Sequence, residues 1–238
     1  MSAVDLQVPA APSINRPARP LRVVAAAALL LGAYVALSLF NDPRGYLGTD
    51  TGGKVATLRA MERTGSLDPD IGYWAAPWDP DGTLHPLYFT AHLGQKWVNV
   101  TTLPALYLGY GLFRLGGYNG ALLVPMLGSV LAALAARALA RRLTTGDERP
   151  GWLAFWTVGL ASPLAIYALD FWEHSLGVAL IAWAVVLLYD VTNSHAGWRA
   201  AAGAGLLFGA AATMRTEALV YGAVATAVCC GALLLKTR

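Results

Sequence analysis

The chain has 238 residues, of which 56% are hydrophobic and only 13% are charged, and its mean hydropathy is +0.50. A water-soluble domain usually carries about twice that share of charged residues, so the composition excludes an ordinary soluble globular protein. The net charge of +3 is small and gives no sign of a nucleic-acid partner. The composition predicts an all-α fold, a polytopic bundle of membrane-spanning helices.

Residues 1–20 are rich in Pro and Ala and predict a disordered cytoplasmic tail, and a membrane domain over 21–238 follows. The first predicted span is 23–40. It is long for a signal peptide, no small-residue cleavage site follows it, and further spans come later, so we interpret it as a permanent helix. The next segment, 41–118, is predicted to be a long extracytoplasmic loop that contains surface helices.

Further spans are predicted at about 119–140, 152–169, 176–190, 200–214 and 217–235. Segment 98–117 is also apolar, but if it crossed the membrane, four arginines of later loops would face outward, against the positive-inside rule. We therefore predict six spans, both chain ends in the cytoplasm, and 98–117 at the outer surface. Within 200–235, a tight hairpin and one broken helix both fit, and Gly205 and Gly209 form a GxxxG pattern that permits close helix packing.

Most of the acidic residues fall on one side of this predicted topology. The outer face carries ten of the fourteen acids: Asp42, Asp50, Glu62, Asp68, Asp70, Asp79, Asp81, Asp170, Glu173 and Glu217. This grouping predicts an active site that faces outward.

Asp50 lies shortly after the first span, within the glycine-flanked turn Gly48–Gly53. Glycine lets the backbone turn tightly and lets a ligand approach closely. A carboxylate at this place is suited to take a proton from an acceptor hydroxyl. Thr49, Asp50 or Thr51 is equally suited to cap a helix that follows, and the two roles are compatible.

Two further groups of polar residues lie at predicted span ends. The spacing of Asp170, Glu173 and His174 would place them on one helix face, where they could bind a metal, act as acid or base, or bind a sugar. A plain polar loop is the alternative. Arg215 and Glu217 interrupt an apolar run, and an arginine there is suited to bind phosphate. The alternative is that Arg215 and Glu217 only form an ion pair with each other, which lowers the free-energy cost of placing their charges in the membrane.

Other loop residues have weaker patterns. Asp79–Gly82 looks like the start of a calcium loop but lacks the later ligands, so we interpret it as a solvated turn. We interpret Tyr73, Trp74 and Trp78 as interface anchors rather than as a sugar-stacking platform. The sequence contains no HExxH metal motif, no nucleotide-binding glycine loop and no Ser-His-Asp order.

The order of these features resembles the GT-C superfamily of integral-membrane glycosyltransferases, such as the protein mannosyltransferases and related bacterial enzymes. The matching elements are, in chain order, Gly48–Asp50, Leu103–Tyr107, Ala136–Arg142, Ala161–Pro163, Asp170–His174 and Met214–Glu217. The resemblance covers about residues 20–235. The chain differs from the protein mannosyltransferases in having Thr51 directly after Asp50, where they have a second acid, and in having no arginine within 118–127.

The resemblance implies an inverting glycosyltransferase of the bacterial plasma membrane. It would transfer a sugar, with mannose as one candidate, from a polyprenyl-phosphate donor to a protein, glycan or lipid acceptor on the outer face. Asp50 would be the catalytic base and Arg215 would bind the carrier phosphate. The other substrate-binding candidates are Asp170, Glu173, His174 and Glu217. A divalent metal stays open as a cofactor.

Two alternative functions remain open at this point. The chain could be a non-catalytic or truncated relative of these enzymes, and its short length makes a fragment of a longer enzyme one expectation. A transporter is the other alternative, but transporters carry ionisable residues near the middle of the membrane, whereas these spans are almost free of charge.

Overall fold

Helices dominate the fold, with 73% helix and 4% strand, which confirms the predicted helical class. The computed structural model describes residues 20–42, 50–85, 89–100, 103–193 and 196–236. The helices are α1 (Pro20–Ser38), α2 (Asp50–Thr64), α3 (Leu103–Ala121), α4 (Leu123–Leu143), α5 (Glu148–Leu160), α6 (Pro163–Tyr167), α7 (His174–Asn193), α8 (Trp198–Met214) and α9 (Ala218–Lys236). The strands are β1 (Thr90–Leu93) and β2 (Lys96–Asn99). The predicted tail 1–20 lies outside the described residues except for Pro20.

Four helices in the described part of the chain, α1, α4, α7 and α9, are long and apolar enough to cross a membrane. They contain 19, 21, 20 and 19 residues. At about 1.5 Å per residue, this length matches a hydrocarbon core of about 30 Å. The chain is therefore a membrane protein. The remaining helices predicted as spans are shorter, with 13 residues in α5 and 17 in α8.

The segment 152–169, which we predicted as one continuous span, is broken into α5 and α6. Helix α5 ends at Leu160, and Pro163 is the first residue of α6. Proline has no backbone N–H to donate, so it favours a new helix start over continuation of the preceding helix. The Ser162 hydroxyl accepts a hydrogen bond from Leu164 N at 3.2 Å and caps the new helix.

The described part of the apolar segment 98–117 contains the end of β2 and most of α3, which is not among the four long apolar helices. Gly116 and Gly117 interrupt α3, and Gly117 has a φ of 59°, a conformation that favours glycine. Helix α3 packs on α2 and α4. The Tyr110 hydroxyl donates a hydrogen bond to Met61 O at 3.1 Å and helps to hold α3 against α2.

Helices α8 and α9 form a tight antiparallel hairpin, which decides between the two predicted arrangements of 200–235. The connection is only Arg215–Glu217, and Phe208 of α8 packs against Gly222 and Ala225 of α9. The GxxxG glycines do not make this contact. A Cβ atom added at Gly205 or Gly209 would meet nothing within 4 Å among the described residues, so these residues do not use the close packing that the pattern permits.

Helix α4 is the centre of the bundle and packs on α1, α3, α5 and α7. At one end of the bundle, its arginines pair with acids of neighbouring elements: Arg142 Nε lies 2.7 Å from Asp190 of α7, and Arg141 Nε lies 2.7 Å from Glu148 of α5. Lys236 at the end of α9 donates to Thr192 O at 2.6 Å. The carboxyl ends of α4, α7 and α9 therefore lie together, and these three helices run parallel.

The opposite end gathers the start of α2, the connection from α6 to α7, and the hairpin turn between α8 and α9. The Asn41 amide at the end of α1 donates to Leu169 O at 2.7 Å. The antiparallel strands β1 and β2 also belong here, with Gly94 at φ +65° in a two-residue turn. Gly53 of α2 lies so close to β2 that an added Cβ would meet Asn99 Nδ2 at 2.0 Å.

Candidate active site

Helix α2 begins at Asp50, and its first turn carries two charged groups on one face. Asp50 and Lys54 are four residues apart, a spacing that brings side chains together on a helix. Lys54 Nζ lies 2.8 Å from Asp50 Oδ2. The Lys54 side chain is fully buried and also forms an ion pair with Glu173, which precedes α7 and is 5% exposed. These three charged groups therefore join α2 to the start of α7.

The hairpin turn brings Arg215 to the same place. Arg215 Nη1 lies 2.7 Å from His174 Nε2 and 3.8 Å from Glu173 Oε1, and Nη2 pairs with Glu217. A guanidinium group only donates hydrogen bonds, so His174 Nε2 must be the acceptor. His174 is then a neutral imidazole with its proton on Nδ1. Three side chains, Glu173 and His174 at the start of α7 and Glu217 in the hairpin turn, thus surround one guanidinium group and hold it in place.

Glu217 is the exposed partner of Arg215. Its side chain is 51% exposed, against 5% for Glu173. A hydrogen bond from its own backbone N–H, and then the Arg215 guanidinium, stabilise the charged carboxylate and lower the pKa of Glu217 below its ordinary value. Glu217 is therefore ionised at neutral pH and occupies part of the Arg215 guanidinium.

A cavity of about 500 Å³ lies between these elements. This volume is within the range of small-molecule sites, roughly 300–1,000 Å³. Its lining residues come from α2, the hairpin strand region and both connections: Asp50, Phe89, Trp172, Glu173, His174, Met214, Arg215, Thr216 and Glu217. Five of the six residues that we predicted as catalytic or substrate-binding are among them, so the fold brings together what the sequence separates.

Three side-chain atoms of residues that line this cavity lack a hydrogen-bond partner among the described residues. They are Asp50 Oδ1, Trp172 Nε1 and His174 Nδ1, and all three are buried. Buried polar atoms in folded proteins nearly always have a partner, so orphaned ones are a sign of a ligand or an ordered water. These atoms offer one carboxylate oxygen as acceptor, and one indole N–H and one imidazole N–H as donors, next to the Arg215 guanidinium. This set fits a ligand that has both hydroxyl and anionic oxygen groups.

Asp170, the sixth predicted site residue, does not line the cavity. Its Oδ1 accepts hydrogen bonds from the Thr51 hydroxyl at 2.7 Å, the Tyr118 hydroxyl at 3.1 Å and Phe171 N at 2.8 Å. The expected helix face of Asp170, Glu173 and His174 is wrong, because α7 begins only at His174. The turn before α7 directs Asp170 toward α2 and the α3–α4 junction, where it positions the start of α2.

The sequence analysis missed Lys54, Trp172 and Phe89. Lys54 had a detectable signal, since its spacing from Asp50 is that of a helical ion pair. A lysine near the start of a helix that packs onto a membrane bundle is also a candidate for burial. The other two had no signal of their own. In the sequence, Trp172 resembles the other aromatic residues that are expected at the membrane interface. Phe89 is brought to the cavity by the pairing of β1 with β2.

The turn that starts at Asp79 is organised by the chain itself. Its carboxylate accepts hydrogen bonds from Leu84 N at 2.9 Å, Thr83 N at 3.1 Å and the Tyr73 hydroxyl at 2.8 Å. These bonds, above all that from Leu84 N, lower the pKa of Asp79 to about 2. Nearby, the Trp97 ring stacks between the His85 and His92 rings, at centroid distances of 4.6 and 4.5 Å.

The predicted anchors divide into two groups. Trp74 and Trp78 are 82% and 79% exposed, as a residue that contacts a membrane interface would be, whereas Tyr73 packs edge-on against Trp97. Across the described residues, no group of three or more His, Cys, Asp or Glu side chains is arranged to hold a metal ion.

Comparisons with known proteins identify no relative of this chain. No protein-family model, no curated protein and no solved structure matches the chain.

Proposed function

We propose that the chain is a membrane glycosyltransferase of the GT-C type, which transfers a sugar from a polyprenyl-phosphate donor to an acceptor hydroxyl. The observation that carries the proposal is one cavity lined both by Asp50, a carboxylate with one unpaired oxygen, and by Arg215. A base and a phosphate-binding cation are the two groups that such a transfer needs. The order of motifs that resembles the GT-C enzymes supports the same function.

In the proposed reaction, Asp50 takes the proton of the acceptor hydroxyl while the hydroxyl oxygen attacks the anomeric carbon. The bond from that carbon to the phosphate oxygen breaks, and the electron pair leaves with the polyprenyl phosphate. Arg215 stabilises the charge that develops on this leaving group. Because one displacement occurs, the anomeric configuration is inverted.

The phosphate would replace Glu217 as the partner of Arg215. Glu217 is half exposed and its carboxylate makes a charge-assisted contact of the kind that a phosphate oxygen also makes. His174 and Glu173 would keep the guanidinium in place during the exchange. Trp172 would contribute its indole N–H and its ring to sugar binding, as aromatic side chains with a polar group often do.

The proposed topology has six spans, with α5 and α8 as the two shorter ones and the cavity on the extracytoplasmic face. Helices α4, α7 and α9 run parallel, and α5 and α8 come between them in the chain. If α5 and α8 cross in the opposite direction, consecutive helices cross the membrane in alternating directions, as a chain of spans must. Basic residues concentrate at the end of the bundle opposite the cavity, at the ends of α4 and α9 and the starts of α5 and α8, and the positive-inside rule assigns them to the cytoplasm: Arg141, Arg142, Arg149, Arg199 and Lys236. A lipid-linked donor fits this arrangement, because its tail stays in the bilayer while its phosphate reaches the interface.

The donor set of the cavity does not favour a divalent metal. Asp50 and Glu173 share the Lys54 ammonium, and Glu217 pairs with Arg215. Carboxylates that already have a cation of the chain as partner are poor candidates for metal ligands. The proposed reaction has no step that requires a metal.

The function is tested with the full chain in lipid nanodiscs and a panel of radiolabelled polyprenyl-phosphate sugars that begins with mannose. Transfer of label to protein, glycan or lipid fractions of a bacterial membrane is measured. We expect the Asp50→Asn variant to lose activity by about 10²- to 10⁴-fold, the usual contribution of a general base. Its melting temperature should fall, because Lys54 then keeps only Glu173 as an opposite charge, and transfer is therefore compared per amount of folded protein.

Glu62→Gln is the matched control, because Glu62 is an exposed acid on the same helix, outside the cavity. It should transfer sugar at the wild-type rate. Equal transfer by Asp50→Asn would reject Asp50 as the base. A folded wild-type chain that transfers label from no donor would favour a non-catalytic relative.

A further inference from the structure

Lys54 is the most unusual charged residue in the described part of the chain. Its side chain has no exposed surface, in a protein with few charged residues. Removing an ammonium group from water costs several kcal/mol, at order of magnitude, unless close opposite charges offset it. Ionisable groups kept in the interior of a membrane protein are therefore candidates for function. Lys54 has two such charges as neighbours, and both line the cavity.

The ammonium group engages one defined oxygen of each carboxylate. Nζ contacts Asp50 Oδ2 at 2.8 Å and pairs with Glu173 Oε2. The other Asp50 oxygen, Oδ1, is buried without a hydrogen-bond partner among the described residues. The other Glu173 oxygen, Oε1, lies 3.8 Å from Arg215 Nη1. The two carboxylates are thus used differently, because within the described chain only Asp50 keeps an oxygen without a partner.

We infer that Lys54 is a positioning residue that fixes the Asp50 carboxylate through Oδ2 and leaves Oδ1 as the atom that receives the acceptor proton. Glu173 in turn holds Lys54, so its role is to orient the ammonium group rather than to bind sugar. The inference deepens the proposed function and rests on it for the identity of the reaction. The arrangement of Lys54 between the carboxylates is independent of which sugar is transferred.

The charges explain why this position needs a cation. Lys54 and the two carboxylates carry a net charge of −1, and Arg215 contacts Glu173, at 3.8 Å, on the side away from Lys54's own contact. Without Lys54, two carboxylates would lie next to each other with little access to water, and like charges in such a place favour uptake of a proton. A protonated Asp50 could not accept the proton of the acceptor hydroxyl. Lys54 therefore keeps Asp50 competent as well as oriented.

The test replaces Lys54 with Met, which has a similar length and no charge, in the full chain in nanodiscs. We expect kcat to fall about a hundredfold while KM for the donor changes by less than about twofold, because the phosphate site is untouched. Lys96→Met is the matched control. Lys96 pairs with Asp68 at the surface, where both side chains are about half exposed, so its loss should change neither constant.

A second measurement does not depend on sugar transfer. Dicyclohexylcarbodiimide adds to protonated carboxyl groups, and mass spectrometry locates the adduct. At pH 7, we expect about fivefold more adduct on Asp50 in Lys54→Met than in the wild type, and no increase in Lys96→Met. If the wild type transfers no sugar, the proposed function fails, and this labelling still decides the inference on Lys54.

Equal labelling of Asp50 in the wild type and Lys54→Met would overturn the inference. A lower melting temperature with an unchanged kcat of the folded fraction would also overturn it, since Lys54 would then be structural only. Should Lys54→Met fail to fold, Lys54→Gln replaces it, because an amide can still donate hydrogen bonds to both carboxylates but carries no charge. Increased labelling of Asp50 in that variant supports the inference, and unchanged labelling rejects it.

Discussion

Arg215 contacts three side chains, His174, Glu217 and Glu173, that differ in charge and exposure. The two that are more shielded, His174 and Glu173, orient the guanidinium group. Glu217 occupies it from the exposed side. An anionic ligand that enters the cavity therefore competes with one residue of the protein, and the strength of this competition can be measured.

Replacement of Glu217 with Gln removes the competing charge. We expect KM for the polyprenyl-phosphate donor to fall about two- to fivefold, because an exposed ion pair is weak and its loss frees the guanidinium for the phosphate. The lowered pKa of Glu217 means that the carboxylate is charged throughout the neutral range, so the effect should be constant between pH 6 and 8. Steady-state kinetics with the wild type and the variant measure it. A higher KM in Glu217→Gln would instead identify Glu217 as a substrate-binding residue.

Helices α4 and α7 approach each other closely where α7 begins, next to the site. A Cβ atom added at Gly128 would lie 2.6 Å from Leu176 N and 2.8 Å from Ser175 C. These are backbone atoms, which cannot move aside without shifting the helix. Ser129 adds a hydrogen bond with the Ser175 hydroxyl at 2.9 Å. The start of α7, and with it Glu173 and His174, is therefore placed by α4.

Gly128→Ala tests this dependence. We expect it to destabilise the protein by about 1–3 kcal/mol, the usual cost of an overpacked contact, and to lower activity because α7 must shift. Gly205→Ala is the control, since nothing lies within 4 Å of its added Cβ among the described residues and alanine favours helix. Thermal unfolding in nanodiscs gives both values. Equal melting temperatures for Gly128→Ala and the wild type would show that α4 and α7 can separate at little cost.

At the scale of the whole molecule, the arrangement of the bundle predicts which residues share a side of the membrane. The starts of α2, α7 and α9 lie at one end, and the carboxyl ends of α4, α7 and α9 lie at the other. The outward position of the cavity is part of the proposed function. It depends on the arginines of the second end being cytoplasmic.

Cysteine labelling of intact cells tests this topology, after replacement of Cys229 and Cys230 by Ala. Glu62→Cys and Leu143→Cys introduce thiols at exposed positions near the two ends. We expect a membrane-impermeant maleimide to label position 62 in intact cells and position 143 only after the membrane is permeabilised. Labelling of both positions from outside would reject the proposed sidedness.

Much of the helical framework could be predicted from the sequence, because apolar length and the distribution of arginine are local properties. The sequence also predicted that Asp50, Glu173 and Arg215 lie at one end of the bundle, because an even number of spans was proposed between them. The partner of Lys54 could not be predicted, since Glu173 is 119 residues away and the contact depends on how α2 packs. The same is true of Asp170, whose direction is set by the turn before α7.

The cavity is assembled from parts of the chain that are made at very different times. Asp50 and Lys54 come early in synthesis, Glu173 and His174 follow more than a hundred residues later, and Arg215 and Glu217 come nearly last. Until residue 173 has left the ribosome, the ammonium of Lys54 has Asp50 but not its second carboxylate. Until α7 has formed, the Lys54 ammonium therefore lacks one of the two charges that offset its burial, and a product that stops before residue 215 lacks part of the cavity lining.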